Sequence, residues 1–243
     1  MSGFATFTVV RYRPAVAVLG AMHMATQRPR LQRELGLRFF RLMGAGAGIG
    51  FSARPDPTVW ALVCAWDSTA DWERFAAGSA VMRQYAERGE ESYTLLLEPL
   101  SAHGAWGGVQ PFAFDPAATA RAADEPVVVL TRAALRLSRA HRFWGQVGAV
   151  DDTLRGNPDL LLSFGVGEAP WFLQSTVSVW RSADGMKAWA YRDGPHREVV
   201  RRTRAEGWYR EELFARFRLV GTRGTWGGAD PLATLAVDPI PPA

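Results

Sequence analysis

One phrase occurs twice in this chain. "GAWGGVQP" runs from Gly104 to Pro111 and "GTWGGADP" from Gly224 to Pro231, an offset of 120 residues. A second pair of blocks, "AWDSTADWERFA" (Ala65 to Ala76) and "VWRSADGMKAWA" (Val179 to Ala190), stands at an offset of 114. Six residues therefore enter the second copy between these blocks. Further upstream, "LRFFRLMGAGAG" is read as the parallel of "HRFWGQVGAV". Two copies signify a duplicated domain, since a solenoid needs three or more units to bury its faces. A chain of 243 residues can supply each copy with its own core.

The apolar pattern repeats with the phrase. In the first copy "FATFTVV" reads as a strand and Ala15 to Leu35 as a helix. "LRFFRLMG" and "TVWALVCAW" read as strands, Ser68 to Glu91 as helical and "SYTLLLEPLSA" as a strand. The second copy reads as strand "PVVVLTRA", a helix from Ala133 to His141, strands "RFWGQVG", "DLLLSFGVG" and "WFLQSTVSVW", helices from Ala183 to Glu206, and strand "ELFARFRLVG". Each half is then about β-α-β-β-α-β, the ferredoxin-like unit. The fold class expected is α+β, with tandem ferredoxin-like repeats whose sheets face each other as a dimeric α/β barrel within one chain. The domains are set at residues 1–112 and 126–243, with "FAFDPAATARAADEP" giving a linker at 113–125.

Composition narrows the chemistry. There are four histidines and one cysteine, Cys64, so no intramolecular disulfide framework exists and a reducing cytoplasm is expected. The N-terminus shows no signal-peptide pattern, and no apolar run approaches the ~20 residues of a membrane span. The formal charge of +4 comes from a chain whose only lysine is Lys187; this arginine bias is read as codon composition, and no nucleic-acid partner is expected.

Most motifs take ordinary readings. "GAGAGIG", Gly44 to Gly50, lacks the G-x-G-x-x-G spacing, and the prolines that follow leave no helix to hold a pyrophosphate. This loop and "GVGEAP" are expected to be structural or to line a pocket. Cys64 is read as a core thiol among Trp60, Leu62 and Trp66. His23 is read as packed, His103 as part of a turn, and His141 as the end of a helix, where a cation suits the dipole.

His196 lies in "RDGPHREVVRRTRAEGW". Asp193 can cap a helix, Gly194 relaxes the turn, and Pro195 suits the first helical position. His196, Val199, Val200 and Thr203 then form one stripe, flanked by Arg197, Arg201 and Arg204. A helix start disfavours the imidazolium, and a ligating imidazole must be neutral. The valines could support a flat cofactor and the arginines could pair with its propionates. An exposed histidine on a basic helix is the other reading. At the offset of 114 the first half has Met82 there, so any such site belongs to one half.

"FWGQV", "SFGVGEAPWFLQSTVSVW", "DGPHREVVRRTRAEGWYREELFARFRLVGTRGTWGGADPL" and "FFRLMGAGAGIGF" together resemble the spheroidene monooxygenase family, over nearly the whole chain and most densely from Phe164 to Leu232. The resemblance implies a monooxygenase with haem b, using dioxygen and an electron donor such as reduced ferredoxin to oxidise a hydrophobic substrate, a carotenoid or a specialised metabolite. It implies His196 as the proximal iron ligand, with Arg197, Val200, Arg201 and Arg204 around the cofactor. The distal wall would come from Gly44–Phe51, Gly165–Phe172 and Gln174. Haem chemistry without oxygenation, such as dehydration or nitrogen-group chemistry, and a non-catalytic barrel for hydrophobic ligands are the alternatives. At most peripheral membrane association is expected, and such a barrel suits either a monomer or a homo-oligomer.

Overall fold

The structure is a computed structural model, and it describes residues 3–48, 50–116, 125–191, 194–235 and 237. The first half runs β1 (Phe4–Tyr12), α1 (Ala17–Leu31), β2 (Leu37–Gly46), β3 (Pro55–Trp66), α2 (Thr69–Gly78), α3 (Ala80–Arg88) and β4 (Gly89–Gly104). The second runs β5 (Val127–Leu135), α4 (Ala140–Leu154), β6 (Leu160–Ala169), β7 (Leu173–Trp180), α5 (Ala183–Tyr191), α6 (Pro195–Glu206) and β8 (Tyr209–Gly224). The eight strands close into one antiparallel barrel in the order β1-β3-β2-β6-β7-β5-β8-β4. Each half contributes strands in the ferredoxin-like order, as the duplicated phrase implies. The halves join where β4 pairs with β8 and β2 with β6. None of the described helices is long and apolar enough to cross a membrane.

Alternation decides which side chains face inward. Phe7, Val9, Val63, Leu95, Leu97, Val128, Leu130, Val177, Val179 and Phe217 fill the barrel, and the centre has no room for a water molecule. The barrel is thus a packed core and not a channel. The opposite faces of the strands meet the helices, which explains strands that are apolar on both sides.

Several boundaries differ from the sequence pattern. "RFWGQVG" is part of α4 and is not a strand. Phe143, Val147, Val150 and Leu154 recur at helical spacing and turn inward, which the two glycines of the segment had masked. The counterpart of β2 is therefore β6, not "HRFWGQVGAV". His141 stands at the start of α4, exposed, so the expected helix end with its favourable dipole is overturned. Ala133–Leu135 belong to β5, and His103 lies on β4 opposite Phe214. The single helix of Ser68–Glu91 is two, with Ser79 capping the second through Met82 N–H. The helices expected over Ala183–Glu206 are two, Ala183–Tyr191 and Pro195–Glu206. The side chain of His23, Asp193 and most of the expected linker 113–125 lie outside the described residues.

Both Trp-Gly-Gly phrases are tight turns that close a barrel mouth. Gly107 and Gly108 take φ of 66° and 81°, and Gly227 and Gly228 take 72° and 85°, a left-handed pair that L residues resist. The first turn donates the Gly107 and Gly108 N–H groups to Glu211 at 2.9 and 2.7 Å. The second donates Gly228 N–H to Glu91 at 3.2 Å.

Candidate functional site

The outer sheet faces of the two halves are built differently. The register aligns Phe40, Leu42, Leu62 and Cys64 of the first half with Ser163, Gly165, Thr176 and Ser178 of the second. In the first half, Leu42, Leu62 and Cys64 join Trp66, Trp72 and Phe75 in one continuous core under α1, α2 and α3. In the second half the equivalent face breaks into two clusters. One gathers Ala133, Leu135, Phe143 and Trp208, with Phe51, Phe172 and Val199 against them. The other gathers Val127, Leu154, Trp180 and Met186, with Trp189 against them. Between them Thr131, Thr176 and Ser178 are half-buried under a helix layer, where Thr8, Leu62 and Cys64 are buried. Large apolar side chains have been exchanged for small ones, and the sheet–helix interface is hollowed.

His196 sits between those clusters. Its helix begins at Pro195, whose fixed φ suits the first turn, and the cap position is Gly194, which has no side chain to cap with. The imidazole lies against the Trp189 ring, with centroids 4.2 Å apart, and Nδ1 is 3.0 Å from the Ala190 carbonyl. A carbonyl only accepts, so Nδ1 carries the proton and Nε2 keeps its lone pair. Burial pushes the His196 pKa below the ordinary value, partly opposed by the bond to Ala190. The ring is thus neutral, oriented and of the right tautomer for a metal. Such a donor fits haem iron, because the porphyrin supplies four nitrogens and the protein need supply one.

The remaining sites differ in placement. Val200 is half-buried on the His196 helix, while Arg197, Arg201 and Arg204 are exposed on it. Arg201 is engaged by Glu198 through two bonds of 2.8 and 2.6 Å. Gln174 is 6% exposed on the outer face of β7, and its amide nitrogen donates to the Ala169 carbonyl at 3.1 Å. The glycine loop reaches across from the first half. A Cβ on Gly165 would lie 1.7 Å from the Gly50 carbonyl oxygen, and Phe51 meets Phe143 edge-on at 5.2 Å. Phe172 joins the same cluster, so both expected distal loops and Val199 converge there.

The sequence reading missed Trp189, although the offset of 114 pairs it with Phe75, and both stack on a tryptophan of their sheet, Trp180 and Trp66. It also missed Glu206. This carboxylate takes bonds from Arg142 on α4 at 2.6 Å, Trp208 at 2.9 Å and Arg202 at 3.0 Å, and so ties α4 to α6. These bonds pull its pKa down to about 2. Cys64 is buried, and desolvation raises its pKa, as suits a core thiol.

No model of a protein family matches the chain. The spheroidene monooxygenase of Rhodobacter capsulatus is 41% identical over 215 residues, 88% of this chain and 89% of that protein. The chain belongs to the spheroidene monooxygenase family. The member from Cereibacter sphaeroides is 38% identical over 80% of this chain and 60% of its own length. The member from Rubrivivax gelatinosus is 35% identical over 80% of this chain and 73% of its own. Among solved structures, an aldoxime dehydratase matches 98% of this chain and 89% of its own with a TM-score of 0.63 at 11% identity. A butyraldoxime complex of an aldoxime dehydratase matches 90% and 79% with a TM-score of 0.57 at 10% identity. At such identities the structures show a shared fold and nothing further. The hollowed second-half face is therefore a feature of a spheroidene monooxygenase family member on the barrel that those dehydratases also use.

Proposed function

We propose that this chain is a haem b-dependent monooxygenase that oxidises an apolar, acyclic, carotenoid-like substrate, with His196 as the axial ligand. The observation that carries the haem assignment is the neutral His196 ring, fixed through Nδ1 to Ala190 beside a sheet face stripped of bulk. The family relationship favours oxygenation over dehydration. It also favours an enzyme over a ligand-binding barrel.

When bound, the haem would supply an iron centre able to bind and activate dioxygen. Each turnover then consumes one dioxygen, two electrons and two protons, puts one oxygen atom into a C–H bond and releases the other as water. A second turnover at the same carbon gives a geminal diol, which loses water to a ketone. The electrons come from an external donor such as reduced ferredoxin. Ala190 holds the His196 ring against rotation, and Trp189 backs it. Val199 and Val200 would offer apolar surface to the cofactor, and Phe51, Phe143 and Phe172, packed with Val199, would keep water from the site. Gln174 is the buried polar group of that face, suited to orient a proton or the substrate. We assign Arg197, Arg201 and Arg204 to the propionates at the solvent edge, with Arg201 exchanging Glu198 for one of them.

We take the halves 1–112 and 126–243 as the two domains, the second carrying the site. A single buried thiol suits the cytoplasm, with at most peripheral contact to the membrane that dissolves the substrate. An absorption spectrum of the purified protein, with and without dithionite and carbon monoxide, tests the reading. A Soret band is expected, lost or strongly shifted in His196→Ala. Unchanged haem binding in that variant overturns the ligand assignment.

A further inference from the structure

The pseudo-twofold relation makes the two mouths of the barrel directly comparable, and they are not alike. At one mouth Arg41 bonds Glu168 at 3.0 Å, Trp106 donates its indole N–H to Glu168 at 2.6 Å, and Arg132 pairs with Glu211. These groups fill the space under the first Trp-Gly-Gly turn. Arg41 lies opposite Val63 as Phe164 lies opposite Val177, and Gly44 pairs directly with its counterpart Gly167. The residues corresponding to Arg41 and Glu168 at the other mouth are therefore Phe164 and Ala45. An ion pair has become an aromatic ring and a methyl group.

At that second mouth a cleft of about 560 Å³ opens under the Trp226 turn. Its volume is within the range of small-molecule sites, about 300–1,000 Å³. Phe164, Ala45 and Trp226 line it, together with Leu160, Leu161 and Leu162 of β6. These leucines are only half-buried, so apolar surface stays in contact with water along the strand. The cleft forms because β2 accompanies β6 only at Gly44–Gly167 and Ala45–Val166, leaving the edge of β6 below these residues without β2. Ser163 and Gly165 also line the cleft, and both stand on the outer face of the second-half sheet. The Gly50 carbonyl closes over Gly165, and the Asp151 carboxylate stands beside Gly50. Arg11, paired with Glu91 at 2.8 Å and with its guanidinium 4.3 Å over the Trp226 ring, supplies the polar part of the lining together with Asp56 and Arg155.

We infer that this cleft is the binding site for the non-reacting length of an elongated apolar substrate, whose terminus passes Ser163 toward the candidate haem site. The inference rests on the proposed function for the identity of the reacting end. The occupant is a flexible or polyene hydrocarbon chain. A long apolar chain is held by burial of its surface and needs few polar contacts, and Leu160, Leu161, Leu162, Phe164 and Trp226 offer that surface beside a polar rim.

Parinaric acid, a fatty acid whose apolar tetraene chain fluoresces on leaving water, is the binding probe. The purified wild-type protein should bind it saturably, and spheroidene or the inert hydrocarbon squalane should displace it. Leu161→Trp fills the floor of the cleft, and Arg155→Trp covers its rim from an exposed position. Both should weaken probe binding at least tenfold and raise the KM for spheroidene by a similar factor, with the Soret band and the carbon monoxide difference spectrum unchanged. Unaltered probe affinity and KM in both variants overturn the cleft assignment while leaving the haem reading intact. A wild-type protein without a Soret band that still binds the probe at this cleft overturns the haem reading alone.

Discussion

Glu98 and Arg218 hold the same place in the two halves, 120 residues apart, and bond each other across the β4–β8 seam at 2.7 Å. The pseudo-twofold axis passes between them on one side of the barrel and between Gly44 and Gly167 on the other. Duplication thus put one position next to its own copy, where two like charges would repel, and the copies diverged to opposite charge. Both side chains are largely buried, at 9% and 13% exposure. Removing one partner strands the other, at a cost of roughly 3–5 kcal/mol for buried pairs. Glu98→Leu should lower the unfolding free energy measured in urea by that order, somewhat eased because Glu125 lies 3.7 Å from Arg218. Adding Arg218→Met should recover most of the loss. A double variant no better than Glu98→Leu would show that packing, and not stranded charge, is responsible.

His196 should make haem retention pH-dependent in a particular window. Its folded pKa is lowered from 6.5 by burial, so the folded apoprotein binds fewer protons than the unfolded chain. Its contribution to stability is fully present above 6.5 and is lost as pH falls from there through the lowered folded value. Ligation requires the same neutral form and strengthens the effect. Soret absorbance should therefore hold as pH falls through 6.5 and decline only below it. A midpoint at or above 6.5 would contradict a desolvated ring.

Half of this architecture was legible because the chain carries its own reference copy. The repeated Trp-Gly-Gly turn specified two units, and alternation specified barrel strands with two apolar faces. "RFWGQVG" misled because aromatic residues and glycines over seven positions suit a strand as well as a helix, and only tertiary burial of Phe143 and Val147 decided it. Gly-Pro-His and the histidine-for-methionine asymmetry singled His196 out, and the family resemblance made it a candidate ligand. Trp189, Glu206 and the Gly50–Gly165 contact were not, since each depends on which elements the barrel brings together. The exchange of Leu42 and Leu62 for Gly165 and Thr176 was written in the sequence, but it became visible only once β6 replaced α4 as the partner of β2.

That exchange can be reversed. Thr176→Leu restores the first-half residue, Leu62, to the second-half face. In the apoprotein the leucine enters a half-filled space, and burying its side chain offers on the order of 1 kcal/mol in return for little strain. Thermal unfolding of the apo variant should match or slightly exceed wild type. Haem titration should show at least tenfold weaker binding. Wild-type haem affinity with a leucine in place would mean that the cofactor does not use this face.

Glu206 offers a test of how the His196 helix is anchored. Its carboxylate takes bonds from Arg142, Trp208 and Arg202, and this set, led by Arg142, holds its pKa near 2 against an ordinary 4.5. A depressed carboxyl pKa contributes stability that is complete above 4.5 and is lost as pH falls through about 2. The bonds are at the surface and screened by salt, so their worth should shrink with ionic strength. Carboxyl NMR titration should give a midpoint near 2 at low salt, moving toward 4.5 in Arg142→Ala. In that variant α6 loses its tie to α4, and amide exchange over Pro195–Glu206 should quicken more than over β7. Exchange unchanged on α6 would show that Val199 and its neighbours hold the helix without the carboxylate.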